Sequence, residues 1–259
     1  MIKNGISEPQ KKQANFRFYE ELNDFLPRSK RKKDQVYRFW GRPSVKDAIE
    51  ALGIPHPEVE IIIVDNRSVG FNYRLKNNDR VAVYPVFESL DISPLLRLRP
   101  EPLRKIKFSV DGNLEKLARW LRLLGFDSCG ASGITKDELI KKALSEKRII
   151  LTTDKNILKQ KVVTHGYYIR EKTIEKQVKE ILRRFDLGDQ VKPFTRCMVC
   201  NGILDEINKQ IIKSMLPENV HKHCERFKQC TKCKKIYWEG THYIKMQHQI
   251  DKLLCEYRD

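Results

Sequence analysis

Two cysteine pairs with C-x-x-C spacing, Cys197-Met198-Val199-Cys200 and Cys230-Thr231-Lys232-Cys233, are the strongest chemical signal in the sequence. Two such knuckles supply four thiolates, the closed tetrahedral donor set of a structural Zn²⁺ held at about 2.3 Å. A thioredoxin-like redox motif needs only one pair, beside a βαβ unit, so zinc is the better reading. The spacer from Asn201 to Gln229 is long for a ribbon and predicts an inserted helix or loop. His221, His223 and Cys224 lie within it as alternative ligands, which a complete tetrad makes unnecessary. Cys129 and Cys255 read as ordinary thiols, and an odd total of seven cysteines argues for a reducing compartment, the cytoplasm.

A second set of residues is acidic. Asp111 follows Ile106-Lys107-Phe108-Ser109-Val110, and Asp154 follows Ile149-Ile150-Leu151-Thr152-Thr153. Asp137 and Glu138 open the helix expected between those two strands. Functional residues of an open α/β sheet gather just past the carboxyl ends of its strands. Carboxylates converging there suit Mg²⁺ or Mn²⁺, hard ions that keep waters for substrate phosphates. Such ions lower the pKa of an attacking water and offset charge on a phosphoryl group being cut. Each acid also has an ordinary structural use. Asp111 can cap a helix, Asp137 and Glu138 can favour a helix N-terminus, and Asp154 can serve a turn. Their shared placement after strands favours the metal reading.

The elements that must position these residues alternate strand and helix from about residue 104 onward. Strands are expected at Ile106–Val110, Arg148–Leu151 and Tyr167–Ile169, with helices from Gly112 to Leu124, from Thr135 to Ser145 and from Glu171 to Phe185. Thr135-Lys136-Asp137-Glu138 fits a capping box. Strands separated by helices imply a parallel sheet with α/β layering. In the first helix Leu114, Leu117, Ala118, Leu121 and Leu124 recur at helical spacing and face the core. Lys116, Arg119 and Arg122, three apart, form a neighbouring basic stripe that either holds an RNA backbone or is a solvated face.

Ahead of this region, residues 16–90 give the order ββαββ of a β-grasp: strands near Phe16–Phe18, Val36–Trp40, Glu60–Asp65 and Arg80–Tyr84, and a helix capped by Ser44. Residues 1–15 read as a disordered lead-in without the apolar core of a signal peptide. Residues 91–103, rich in proline, read as a linker to a domain at 104–190, with the zinc ribbon and tail at 191–259. No apolar run approaches the roughly 20 residues that span a bilayer. The net charge of +17 lies mostly beyond residue 100 and favours polyanions, of which RNA is the natural candidate. Beyond the second knuckle, Lys234, Lys235, Tyr237, Trp238, His242 and Tyr243 mix charge with rings. Tyr237 and Trp238 are expected in the ribbon's small core, leaving binding to the lysines. The Arg28–Lys33 run reads as a solvated, RNA-facing loop.

Two resemblances add to this reading. Leu75-Lys76-Asn77-Asn78-Asp79-Arg80-Val81-Ala82-Val83-Tyr84-Pro85 is similar to the end of ubiquitin-like sulfur carriers. Those carriers act through a terminal Gly-Gly, whereas Val86-Phe87-Glu88-Ser89 stands here, so docking to a protein partner is expected rather than sulfur transfer. Val110-Asp111-Gly112-Asn113-Leu114-Glu115-Lys116-Leu117-Ala118-Arg119-Trp120-Leu121-Arg122-Leu123-Leu124-Gly125-Phe126-Asp127 resembles the opening of the mutator-seven C-terminal ribonuclease family, a branch of PIN-like nucleases. Leu151-Thr152-Thr153-Asp154, Phe194-Thr195-Arg196-Cys197 and Tyr237-Trp238-Glu239-Gly240-Thr241-His242 extend the match. Members often carry a ubiquitin-like domain in front.

The resemblance implies a PIN-like α/β fold and metal-dependent RNA cleavage. Asp111 and Asp154 would be the firmest Mg or Mn ligands, Asp137 the third with Glu138 as its alternative, and Arg119 the preferred phosphate contact. PIN-like sites often hold another acid two residues past the second aspartate, where this chain has Asn156. That departure keeps open a non-catalytic RNA-binding or protein-docking module.

Overall fold

The structure, a computed structural model, describes residues 11–85, 106–130 and 133–258. The chain divides into two compact units, Met1–Arg104 with Asp154–Tyr168 and Lys105–Thr153 with Ile169–Asp259. The linker expected at 91–103 lies outside the described residues, as do residues 1–10 of the lead-in.

The first unit opens with strand β1 (Lys12–Phe18), so the lead-in expected through Asn15 is corrected: strand pairing already begins at Lys12. The cause is a period-two pattern that the sequence reading began too late. Ala14, Phe16 and Phe18 all point inward and are buried. β2 (Gln35–Phe39) pairs antiparallel with β1. Helix α1 (Val45–Ala51) starts at Ser44, whose hydroxyl accepts from Asp47 N–H at 3.1 Å while the Asp47 carboxylate accepts from Ser44 N–H at 3.3 Å. This reciprocal box satisfies backbone donors that a helix start otherwise leaves unpaired.

β3 (Ile61–Val64) and β4 (Arg67–Val69) form a hairpin through Asp65 and Asn66, both at positive φ, as a two-residue turn matched to strand twist requires. β5 (Arg80–Tyr84) lies between β1 and β3, parallel to the first and antiparallel to the second, in the order β2-β1-β5-β3-β4. Val45, Ala48 and Ile49 of α1 close the core with Phe16, Ile62 and Val83. The ββαββ arrangement is therefore present, with β4 added.

The second unit is built on β6 (Lys107–Val110), β7 (Asp127–Cys129) and β8 (Ile149–Thr152), all parallel, with β6 between the other two. A 3-10 turn, Gly112–Leu114, leads from β6 into α2 (Glu115–Leu123), and α3 (Lys136–Ser145) joins β7 to β8. Leu114, Leu117, Ala118, Leu121 and Leu124 are all buried, as their spacing demands. The α2 helix stops at Gly125, at φ +96°, where a Cβ would lie 2.3 Å from the Lys192 carbonyl oxygen. Only glycine fits both demands.

Residues 154–168 carry α4 (Lys155–Leu158) and β9 (Gly166–Tyr168) and belong to the first unit. There Lys155 Nζ donates to the Asp24 carbonyl oxygen at 2.7 Å, and Tyr168 N–H donates to Glu58 Oε1 at 2.6 Å.

The second unit resumes with α5 (Ile174–Arg184), whose Val178, Ile181 and Leu182 are buried. β10 (Leu204–Glu206), β11 (Phe227–Cys230) and β12 (Ile236–Trp238) then form an antiparallel sheet in that order. Two short helices, Lys209–Ile212 and Glu218–His223, fill the long spacer, as expected. The chain closes on a helix, Thr241–Arg258, tied back to α5 by an ion pair between Lys179 and Glu256. Among the described residues, no helix is long and apolar enough to cross a membrane.

Candidate functional site: a cysteine tetrad and strand-end carboxylates

The sulfurs of Cys197, Cys200, Cys230 and Cys233 all lie within 4.8 Å of one another. Cys197 Sγ is 3.6 Å from Cys233 Sγ, and Cys200 Sγ is 3.3 Å from Cys230 Sγ. Four sulfurs at about 2.3 Å from a central ion stand roughly 3.8 Å apart, so both donor set and spacing fit zinc. Each knuckle turns at the residue after its second cysteine, where Asn201 and Lys234 adopt φ +65° and +61°. Gly202 lets the two knuckles close, since a Cβ there would stand 2.7 Å from Cys230 Sγ.

The ion-free thiols are unequal. Burial opposes ionisation of Cys197, but contacts from the Tyr237 hydroxyl and from the Cys200 and Val199 N–H groups outweigh it and bring the thiol down to about 6. At Cys233 the Lys235 N–H favours the thiolate, yet burial and the three neighbouring cysteine sulfurs push it up to about 12. Four adjacent thiols cannot all ionise without a cation among them. His221, His223 and Cys224 stand outside this tetrad.

Fastening the first knuckle to the parallel sheet is the work of α2. Arg122 was expected on an exposed phosphate-binding stripe, and the structure corrects this: it is only 4% exposed. Its Nε donates to Ser128 O at 2.6 Å and Nη2 to Gly130 O at 2.7 Å. Nη1 donates to Met198 O at 2.9 Å and Val199 O at 3.0 Å, inside the C-x-x-C turn. With four of its five N–H donors on main-chain carbonyls and the residue buried, the guanidinium is a structural clamp rather than an RNA contact. Beside it, Asp127 accepts from Arg148 at 2.6 Å and from Asn201 Nδ2 at 2.8 Å, with Arg196 at 3.4 Å. Sequence reasoning missed this second anchor. Its one available signal was an acid at the start of a strand in an otherwise apolar stretch.

The remaining members of the stripe behave as expected in part. Lys116 and Arg119 are exposed, and Arg119 pairs with Glu115 at 2.7 Å. Lys116 lines a cleft of about 520 Å³ with Gly112, Asn113, Lys172 and Gln177.

Asp111 stands directly after β6, its N–H donating to Leu151 O at 2.9 Å. Its side chain does not cap the turn that follows, although capping was its ordinary alternative. Instead Asp111 Oδ2 accepts from the Thr152 hydroxyl at 2.7 Å, which holds a half-buried carboxylate in one orientation. Asp137 is exposed in the first turn of α3. Glu138 next to it serves the predicted capping box. Its carboxylate accepts from Thr135 N–H at 2.9 Å and the Thr135 hydroxyl at 2.8 Å, which hold it below the usual glutamate range. Asp154, in the first unit, caps α4 by accepting from Asn156 N–H at 2.8 Å. Among the described residues, the cysteine tetrad is the one group of three or more ligating side chains gathered closely enough to hold an ion.

The family description that matches residues 106–250, more than half of the chain, is the Mut7-C RNAse domain. The Mut7-C ubiquitin description matches residues 11–91. No curated relative and no solved structure matches the chain.

Proposed function

The chain belongs to the Mut7-C RNAse domain family, and from that membership we propose that it is a metal-dependent ribonuclease. In this reading Asp111, Asp154 and Asp137 hold Mg²⁺ or Mn²⁺. The observation that carries it is the Mut7-C RNAse match over a domain whose Asp111, at a strand end, is held by Thr152 rather than used as a cap. A bound divalent ion would activate the attacking water and offset charge on the phosphate. Glu138 is committed to its capping box, which favours Asp137 as the third ligand. Lys116 and Arg119 would grip the RNA backbone, and Lys172, lining the same cleft as Lys116, joins them in place of Arg122. Phosphate contacts of this kind set register without reading sequence.

The tetrad would hold a structural Zn²⁺. The ubiquitin-like front domain would dock a protein partner, and the chain would work in the cytoplasm. Asn156 favours a second reading, a non-catalytic RNA-binding or protein-docking module. It stands where a further acid is common and brings no charge to a metal.

Incubation of the purified chain with structured RNAs and Mn²⁺ or Mg²⁺ separates the two. Cleavage by the parent chain that Asp111→Asn and Asp154→Asn abolish, with folding intact, supports the nuclease. Salt-sensitive binding without any cleavage supports the module.

A further inference from the structure

The Tyr237–His242 stretch has no part in the acidic site, and the expectation that Trp238 packs into the ribbon core does not hold. The residue is 37% exposed. It lines a cavity of about 630 Å³ in the second unit, together with Phe194, Tyr237, Tyr243, Arg226 and Lys228. A concavity of this size lined by several aromatic rings and a few polar groups has the make-up of a ligand site.

Three features of this cavity narrow the occupant. The first is the ring lining: Phe194 and Tyr243 pack with centroids 4.2 Å apart and planes tilted by 33°, and Trp238 adds a further ring. The indole edge lies against Gly240, where a Cβ would approach it to 3.1 Å. The second is the placing of cations. Arg226, just before β11, and Lys228 within it both line the cavity, as does the buried Phe227 between them. Lys228 is held in place by donating to Phe194 O at 3.1 Å, and the Arg226 side chain is 82% exposed. The third is a carboxylate on the same wall, Glu206, which has no ion-pair partner among the described residues. Its neighbours are already engaged, Glu225 by Lys209 and Glu239 by Arg226.

Flat apolar faces, cations and a hydrogen-bond acceptor correspond to the three parts of a nucleotide: base face, phosphate and base-edge N–H. A purely apolar ligand would leave the charged groups unused, and a free phosphate would have no use for the rings. The volume lies within the range of small-molecule sites. We infer that this ribbon cavity binds an unpaired nucleobase of single-stranded RNA, stacked on Trp238 with its phosphate near Arg226 and Lys228. The inference rests on the proposal that RNA is the substrate and assigns a second contact to it.

The test uses the full chain carrying Asp154→Asn, so that RNA stays uncut, and measures fluorescence polarisation with an unstructured RNA 12-mer and a blunt RNA duplex. Base stacking on one ring contributes enough to expect a loss of about fivefold or more in single-strand affinity for Trp238→Ala. Trp238→Phe should restore most of it, and duplex affinity should barely change. Zinc content, measured alongside, should be equal in all three proteins. Unchanged single-strand affinity in Trp238→Ala would overturn the assignment, as would an equal loss for strand and duplex. If the parent chain binds neither RNA, the substrate proposal itself fails, and that result is distinct from a defect confined to Trp238.

Discussion

Replacing Arg122 with alanine tests whether α2 presents a phosphate contact or a clamp. The guanidinium satisfies four carbonyl oxygens, those of Ser128, Gly130, Met198 and Val199. Each acceptor left unpaired away from water costs about 1–3 kcal/mol. Two of the four lie in the first knuckle and are partly buried, so water entering the gap recovers some of that loss. The variant also no longer buries a charge, whose burial pulls the arginine below its ordinary pKa while the nearby Cys129, Cys197 and Cys200, when ionised, offset part of the effect. Together these leave an expected loss of about 3–4 kcal/mol, a large share of the roughly 5–15 kcal/mol that stabilises a domain. Arg122→Lys should fall between the two, because an ammonium has three donors and cannot span the fork. Urea unfolding followed by circular dichroism gives the stability change, and a chromophoric chelator gives the rate of zinc loss. Both variants should unfold earlier and release zinc faster. If Arg122→Ala keeps the parent midpoint and zinc retention while RNA affinity falls, the clamp is wrong and the stripe read from the sequence is right.

Two further outcomes follow from the same region. Burial alone would raise the Asp127 carboxyl, but hydrogen bonds from Arg148 and Asn201, with Arg196 nearby, hold it below its usual value. A folded pKa below the unfolded value of about 3.9 gives stability that is complete above that pH and is lost as pH falls through the folded pKa. Asp127→Asn should therefore be less stable at pH 7 and lose less on going from pH 5 to pH 3. Parallel stability–pH curves for the two proteins would refute the assignment. The tetrad should carry one zinc per chain by elemental analysis. Cys230→Ser should lose it, whereas Cys224→Ser and Cys255→Ser should keep it, and retention by Cys230→Ser would show that the ligand set is different.

The sequence made most of this arrangement readable where local chemistry decides it. Ser44 and Thr135 announce their helices because a capping box needs only four consecutive residues. The knuckles are legible for the same reason, since C-x-x-C is itself a turn. Arg122 was misread for a geometric reason. Residues three apart on a helix drift by about 60° per step, so Arg122 lies about 120° from Lys116 and only about 40° from the buried Ala118. A stripe of three at that spacing therefore runs off the exposed face. β4 was missed because a three-residue strand has no period to detect, although Asp65-Asn66 is a usable turn signal. Trp238 was misplaced because a small ribbon core has room for few rings, and Cys197, Leu204, Cys230 and Tyr237 fill it.

The clamp also explains why a ribbon should follow this sheet at all. Helix α2 begins a few residues after Asp111 and ends beside Arg122, a length of about 13 Å for nine residues. Its first turn therefore neighbours the strand-end carboxylate, while its last grips the carbonyls of the cysteine turn. Those carbonyls are held in place by the knuckle, and the knuckle is held by its four thiolates if an ion draws them together. Rigidity that a metal would impose at one end of this short helix would thus reach the other, where the proposed site would use an oriented carboxylate. Thr152 holds Asp111 from the neighbouring strand, so the carboxylate is restrained from the sheet while the helix that follows it is restrained from the ribbon.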